Sequence, residues 1–338
     1  MLKVNTQGGY STLSLIVWMA VVVSGMSALW LSSGQVNKKL ILGHNLNEEH
    51  PVHLGLVAFK KKLSSLSNGK LEVLLYPNGQ LGPERDVLEL IQLGAVAMTK
   101  VSSMNLEAFA PEIAVLNLPY MFRSKKHYYN VLDSEIGEKM LRTPTSKLLR
   151  GLTYYDSGAR SFYTRKPILH PKDLKGLKIR VMGSQTAIRM VKLLGGSPTP
   201  MPYGEIYTGL QQGVIDGAES NITALTLGRH GEVIKNFSKN EHTMLPDILI
   251  ISERIWRTLT PQMKKWVKQA AAYSKKIQRR KWKEAIEKAN KQARTTLKIT
   301  FQHPDKAPFM KKVHVMHEEL AKRGPLYKSF IDDIRKAQ

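Results

Sequence analysis

The chain has 338 residues, no cysteine, and a formal charge of +24 from 51 Lys plus Arg against 27 Asp plus Glu. The length suits about two domains, each able to bury a core without staples. The missing cysteine excludes disulfide frameworks, thiolate zinc sites, iron–sulfur clusters and cysteine nucleophiles. An apolar content of 42% with 23% charged residues marks a globular chain.

Leu13 to Leu31 reads LSLIVWMAVVVSGMSALWL, 19 residues without a charge, with Lys3 upstream and Ser32, Ser33 and Gly34 after it. This is a signal peptide, with a cut after Gly34, or an uncleaved signal anchor. Residues 1–35 are therefore a leader, and the rest of the chain is expected outside the cytoplasmic membrane. Nothing downstream is apolar enough to make a multi-span transporter.

Two α/β lobes follow. Lys39 to Gly43 is a short strand, and Pro51 starts a helix on which Val52, Leu56, Phe59 and Leu63 share a face. Lys70 to Tyr76 is a strand, Glu84 to Leu93 a helix closed by Gly94, and Ala95 to Lys100 a strand. The plan recurs with a strand from Gly176 to Met182, a helix capped by Ser184, a helix from Gly204 to Gln212, and a strand from Val214 to Gly217. Gln92-Leu93-Gly94-Ala95-Val96 resembles Gln211-Gln212-Gly213-Val214-Ile215, which suggests related β-α-β units. Leu152 to Tyr163 and Asp247 to Ile251 are expected to cross between lobes. After Pro261 one helix runs almost to Lys298, with Trp266, Val267, Ala270 and Tyr273 as its apolar positions, long enough to brace both lobes. Lobe I is placed at 38–157 with 246–285 returning to it, and lobe II at 158–245 with 286–338 returning to it. Two lobes joined by crossing segments form a ligand cleft.

Ten Lys or Arg stand between Lys275 and Lys298 against Glu284 and Glu287. A solvated helix face explains this run; an anionic membrane surface is the alternative partner. Neither zinc-finger spacing nor an aromatic RNA-binding strand accompanies it, so nucleic acid is not expected.

In Leu177-Lys178-Ile179-Arg180-Val181 the apolar residues face one side and Arg180 the other, near the end of a strand and before a helix N-terminus. An arginine there grips a carboxylate through two parallel hydrogen bonds; a surface salt bridge fits the pattern equally. Arg160 sits in the crossing segment. Asp216 to Asn221 is a polar loop at a strand end, a binding loop or a plain turn. The sequence has no G-x-S-x-G elbow, phosphate loop or H-E-x-x-H motif. His44, His50 and His53 lack a metal spacing and are expected to be solvated or capping. No cofactor or metal is expected.

LGHNLNEEHPVHLGLVAF, SNGKLEVLLYPNGQLGPERDVLELIQLGAVAM, FAPEIAVLNLPYMF, HPKDLKGLKIRVMGS, MPYGEIYTGLQQGVIDGAESN and LPDILIISERIW together resemble the solute-binding subunits of tripartite ATP-independent periplasmic (TRAP) transporters, the DctP-type family. The stretches run in the family's order from Lys39 to Trp256. The resemblance implies a periplasmic two-lobed binding protein that closes on an organic acid and delivers it to a membrane permease without catalysis. It implies that Arg180 clamps the ligand carboxylate, that Arg160 is a second ligand arginine, and that Asn45, Glu84 and Ser102 bind from the first lobe. Tyr207, in the Y-x-x-L-Q helix, is implied to line the cleft. Ser220 stands where the family usually has Asn and is followed by Asn221; Ala97 stands where Asp is frequent. Glu84 as a hydroxyl acceptor favours sugar acids over C4-dicarboxylates. An exported sugar-acid enzyme and a basic membrane-associated scaffold are the alternatives.

Overall fold

The computed structural model describes residues 37–337. The apolar run from Leu13 to Leu31 lies outside them. Among the described residues no helix is long and apolar enough to cross a membrane.

Two sheets organise Lys39 to the C-terminus. The first has the strand order Leu71–Tyr76, Lys38–Gly43, Met98–Ser102, Asp247–Ser252, Leu149–Tyr155, and the second Thr300–Gln302, Asn236–Met244, Ala159–Thr164, Gly217–Ser220, Lys178–Val181, Ser197–Pro200. β1 (Lys38–Gly43) runs parallel to β3 (Met98–Ser102), and β2 (Leu71–Tyr76) flanks β1. β10 (Asp247–Ser252) is inserted antiparallel between β3 and β4 (Leu149–Tyr155). In the second sheet β5 (Ala159–Thr164) pairs antiparallel with β8 (Gly217–Ser220) and with β9 (Asn236–Met244). β6 (Lys178–Val181) is parallel to β8 and to β7 (Ser197–Pro200), and β11 (Thr300–Gln302) to β9.

The helices follow their sequence signals. His50 caps α1 (Pro51–Leu66) by accepting a hydrogen bond from the Val52 amide at 3.2 Å, and Val52, Leu56, Phe59 and Leu63 are fully buried. α2 spans Glu84–Leu93 and ends at Gly94, whose φ of 83° is left-handed. α3 (Gln185–Leu194) is capped by Ser184, which accepts from the Ala187 amide.

Two strands begin about three residues later than their apolar patterns indicate, and for one reason. After Gly94 the Ala95 and Val96 amides bond back to the Leu90 carbonyl, and after Gly213 the Ile215 amide bonds back to Gly209. These residues close a helix instead of opening a strand. The shift puts Ser102 and Ser220 at the ends of β3 and β8.

The chain passes between sheets at Asp156-Ser157-Gly158, which joins β4 to β5, and at Leu245-Pro246, which joins β9 to β10. The stretch from Leu152 to Tyr163 is therefore two strands in different sheets. A third passage is α4 (Pro261–Thr295), which runs from the first sheet's helices to β11. Its Gln278 side chain bonds both the amide and the carbonyl of Asp156, at 2.9 and 2.8 Å, and so stands in for a backbone neighbour. The helix lies close on α1: a Cβ on Gly55 would meet the Gln278 side chain at 2.7 Å.

Along α4 the buried positions are Val267, Ala270, Ala271, Ser274, Gln278, Trp282, Ala289 and Ala293, whereas Tyr273 is exposed on the outer face, contrary to its apolar character in the sequence. Most of the basic run is solvated, with Lys276, Arg280, Lys283, Lys288 and Lys291 exposed. Lys275 and Arg279 depart from that reading. Both bond Asp133, at 2.8 and 2.5 Å, and Arg279 stacks on the Tyr129 ring, so they tie the brace to the helix Lys125–Asp133.

Candidate ligand cleft

Between the two lobes lies a cavity of about 470 Å³. Asn45, Glu84, Ser102, Arg160, Arg180, Ser220 and Asn221 all line it. Tyr207 does not. Its hydroxyl bonds Glu232 at 2.9 Å on the outer surface, because Ile206, Gly209 and Leu210 take the buried face of their short helix and Tyr207 falls outside that phase. Tyr203, four residues earlier, lines the cavity instead.

Arg180 is set by strand alternation. Ile179 and Val181 enter the core, and the side chain between them projects into the cavity, only 3% exposed. Its Nε and Nη2 donate to the Met201 carbonyl at 2.9 and 2.6 Å. No carboxylate lies within salt-bridge distance of it among the described residues. Burial pulls its pKa below the ordinary arginine value. The sequence alternative of a surface salt bridge is thus excluded.

Arg160 has the opposite setting. Its Nε and Nη2 donate to the two Glu219 carboxylate oxygens at 2.5 and 2.9 Å, and its Nη1 donates to Ser220 Oγ at 3.2 Å. His242 adds a 3.3 Å contact to Glu219, which is fully buried. Burial alone raises the Glu219 pKa, but the Arg160 charge and the hydrogen bonds from His242 and Arg160 outweigh it and hold the pKa down at about 2.

The first lobe contributes a second charged network. Lys100 Nζ bonds Glu84 at 2.5 Å and lies 3.7 Å from Asp247. Glu84 also accepts from the Ser102 amide at 3.2 Å and the Asn105 side chain at 2.7 Å. Burial pushes the Asp247 pKa up, against the pull of Lys100. Asn45 offers a buried carbonyl oxygen with no partner. The Asn221 amide is largely committed, donating to the Ser157 carbonyl and accepting from Thr223.

Lys100, Asp247 and Tyr203 are cavity residues that sequence reasoning missed. Lys100 and Asp247 had a signal: each is the lone charged residue of its strand, in Met98–Ser102 and Asp247–Ser252. The histidines are also more buried than expected. His50 caps, as the sequence allowed, but His44 and His53 pair with each other at 3.0 Å under 3% and 7% exposure. Among the described residues no group of three or more metal-ligating side chains is present.

The lobes are also held together by contacts among residues that do not line the cavity. Glu107 of the first lobe accepts from Ser184 Oγ, the Thr186 amide and Thr186 Oγ1 at 2.7–3.1 Å, at the N-terminus of α3 where a carboxylate is favoured. Asn47 donates to the Leu227 carbonyl at 3.0 Å.

Residues 42–323 match the model of the bacterial extracellular solute-binding protein family 7, DctP. The chain belongs to this family. Salmonella typhimurium YiiZ is 39% identical over 300 residues, 88% of this chain and 91% of that protein. A TRAP periplasmic solute-binding protein of Anaerococcus prevotii, solved with α/β-D-glucuronate, superposes with a TM-score of 0.87 at 38% identity, covering 89% of this chain and 98% of that one. One from Xanthobacter autotrophicus with β-D-galacturonate gives 0.86 at 37% identity, over 88% of this chain and 100% of that one. A TRAP solute-binding protein of this kind is periplasmic, captures a carboxylate-bearing solute, and works with a membrane permease. The DctP family is one of binding proteins, not of enzymes.

Proposed function

We propose that this protein captures a hexuronate such as D-glucuronate or D-galacturonate, closes on it, and releases it unchanged to the permease. The observation that carries the reading is Arg180: a buried guanidinium facing the cavity with no protein carboxylate to neutralise it. A buried cation of this kind is costly until an anion pairs with it. The ligand carboxylate supplies that anion, with Arg160 Nη1 and Ser220 beside it. The hydroxyls of the sugar then meet the Glu84–Lys100–Asp247 network and the free Asn45 oxygen, which offer both donors and acceptors. The bound uronates of the two similar structures support the same class. A small C4-dicarboxylate would present a second negative charge to Glu84 and Asp247, which opposes it.

Titration calorimetry with D-glucuronate, D-galacturonate, D-glucose and succinate tests this. Binding of the uronates with none for glucose is expected. Equal affinity for glucose removes the role of the carboxylate, and tighter binding of succinate removes the hydroxyl-reading role of the first lobe. Recovery of the uronate intact after prolonged incubation checks that nothing is turned over.

A further inference from the structure

A second cavity, of about 240 Å³, lies on the other side of the Asp156-Ser157-Gly158 passage from the cleft. Asn221 lines both cavities and donates to the Ser157 carbonyl between them. Its walls come from both lobes and from the brace. An apolar cavity of about 150 Å³ already accommodates benzene.

Three features define what this cavity takes. Its body is apolar and aromatic, with Phe237, Met244, Ile222, Ile286 and the Trp282 ring on its walls. Its charges are already matched: Lys125 lies 3.3 Å from Asp156, and Glu241 pairs with Lys239 at 3.7 Å and Lys306 at 2.5 Å. This contrasts with the unmatched Arg180 across the passage, so nothing here selects an anion or a cation. Two donors are unused among the described residues: the Trp282 indole N–H makes no hydrogen bond, and the Tyr128 hydroxyl, on a side chain 3% exposed, is buried without a partner. A buried donor without a partner is uncommon and costly.

We propose that this cavity is a second binding site, separate from the sugar-acid cleft, for a small uncharged ring molecule bearing a carbonyl or similar acceptor oxygen. The ring packs between Trp282, Phe237 and Ile286, and the oxygen accepts from Trp282 and Tyr128.

The probe is 4-fluoroacetophenone, followed by fluorine NMR on the purified protein. Saturable binding is expected, and excess D-glucuronate should leave it in place. Ile286→Trp, which fills the cavity, should abolish it. Trp282→Phe and Tyr128→Phe, which each delete one donor, should weaken it up to roughly tenfold. Met244→Trp serves as the filling variant if Ile286→Trp does not give a cooperative melt. The absence of saturable binding, binding unchanged in a folded filling variant, or displacement of the probe by D-glucuronate each overturns the proposal. Because the probe is detected directly, the result stands whether or not the cleft takes a uronate.

Discussion

Arg160 and Arg180 face the same cavity from neighbouring parts of one sheet, yet only one is neutralised. Arg160 is locked to Glu219 through two carboxylate contacts, whereas Arg180 holds only the Met201 carbonyl. The pair thus differs in kind: Arg160 is a fixed, neutralised part of the wall, and Arg180 is an unmet cation, the group to which the proposed function assigns the ligand carboxylate.

Replacing Arg180 separates binding from folding. Arg180→Ala removes a desolvated cation that no protein group balances, so stability should hold or rise slightly. The ligand carboxylate is left unpaired, which costs about 2–5 kcal/mol of affinity. Calorimetry and a melting curve on the same sample check both halves. Retained uronate affinity in a folded variant would falsify the clamp assignment. Arg180→Lys should recover part of the affinity, since charge survives but the two-pronged geometry does not.

The direction of Arg180 was legible because β-strand alternation needs only local sequence: Ile179 and Val181 point inward, so Arg180 points out. The bounds of α2 were equally local, set by Pro83 before and Gly94 after it. What local pattern did not carry was partnership at long range. Glu219 lies 59 positions from Arg160, and nothing nearby tells which of two arginines is already neutralised. β9 was invisible for a related reason. Ser238, Asn240 and His242 point inward and are fully buried, so its core face reads as polar. Tyr207 failed on phase, because a six-residue helix gives too few apolar positions to fix which face is buried.

Acid should unfold this protein in two stages. Burial, helped by Lys100 and His53, lowers the His44 pKa to about 3; burial, helped by Arg180, does the same for His230. Both stay neutral when folded and take up a proton near pH 6.5 when unfolded. Their contribution is complete above pH 6.5 and is lost as pH falls toward 3, by at most about 1.4 kcal/mol per pH unit for each histidine. Glu219 acts lower. Its contribution is complete above about pH 4.5 and lost as pH falls toward about 2. The melting temperature should therefore start to fall below pH 6.5, above the range in which Glu219 acts. His44→Gln should flatten the first stage alone; an unchanged slope between pH 6.5 and 5 in that variant would count against the histidine account.

Lys100 balances two buried carboxylates, Glu84 and Asp247. Lys100→Met leaves both without their cation and should cost about 3–5 kcal/mol in denaturant unfolding. Lys100→Met combined with Glu84→Gln removes one stranded charge and should restore part of the loss. A double variant no more stable than Lys100→Met would show that the Glu84 charge is compensated elsewhere.

Glu107 tests closure without touching the ligand. It does not line the cavity, but its carboxylate joins Ser184 and Thr186 of the second lobe, and Asn117 of its own lobe bonds it at 3.0 Å. A ligand that prefers the closed form has its apparent affinity reduced by the fraction of protein able to close. Glu107→Gln keeps the shape but weakens charge-assisted hydrogen bonds, each worth about 1.5–3 kcal/mol. Apparent uronate affinity should fall about 10-fold or more. X-ray scattering should show a more open ligand-free protein that still compacts at saturating uronate. A fall in affinity with no change in ligand-free dimensions would place the effect of Glu107 in the cleft itself and not in the latch.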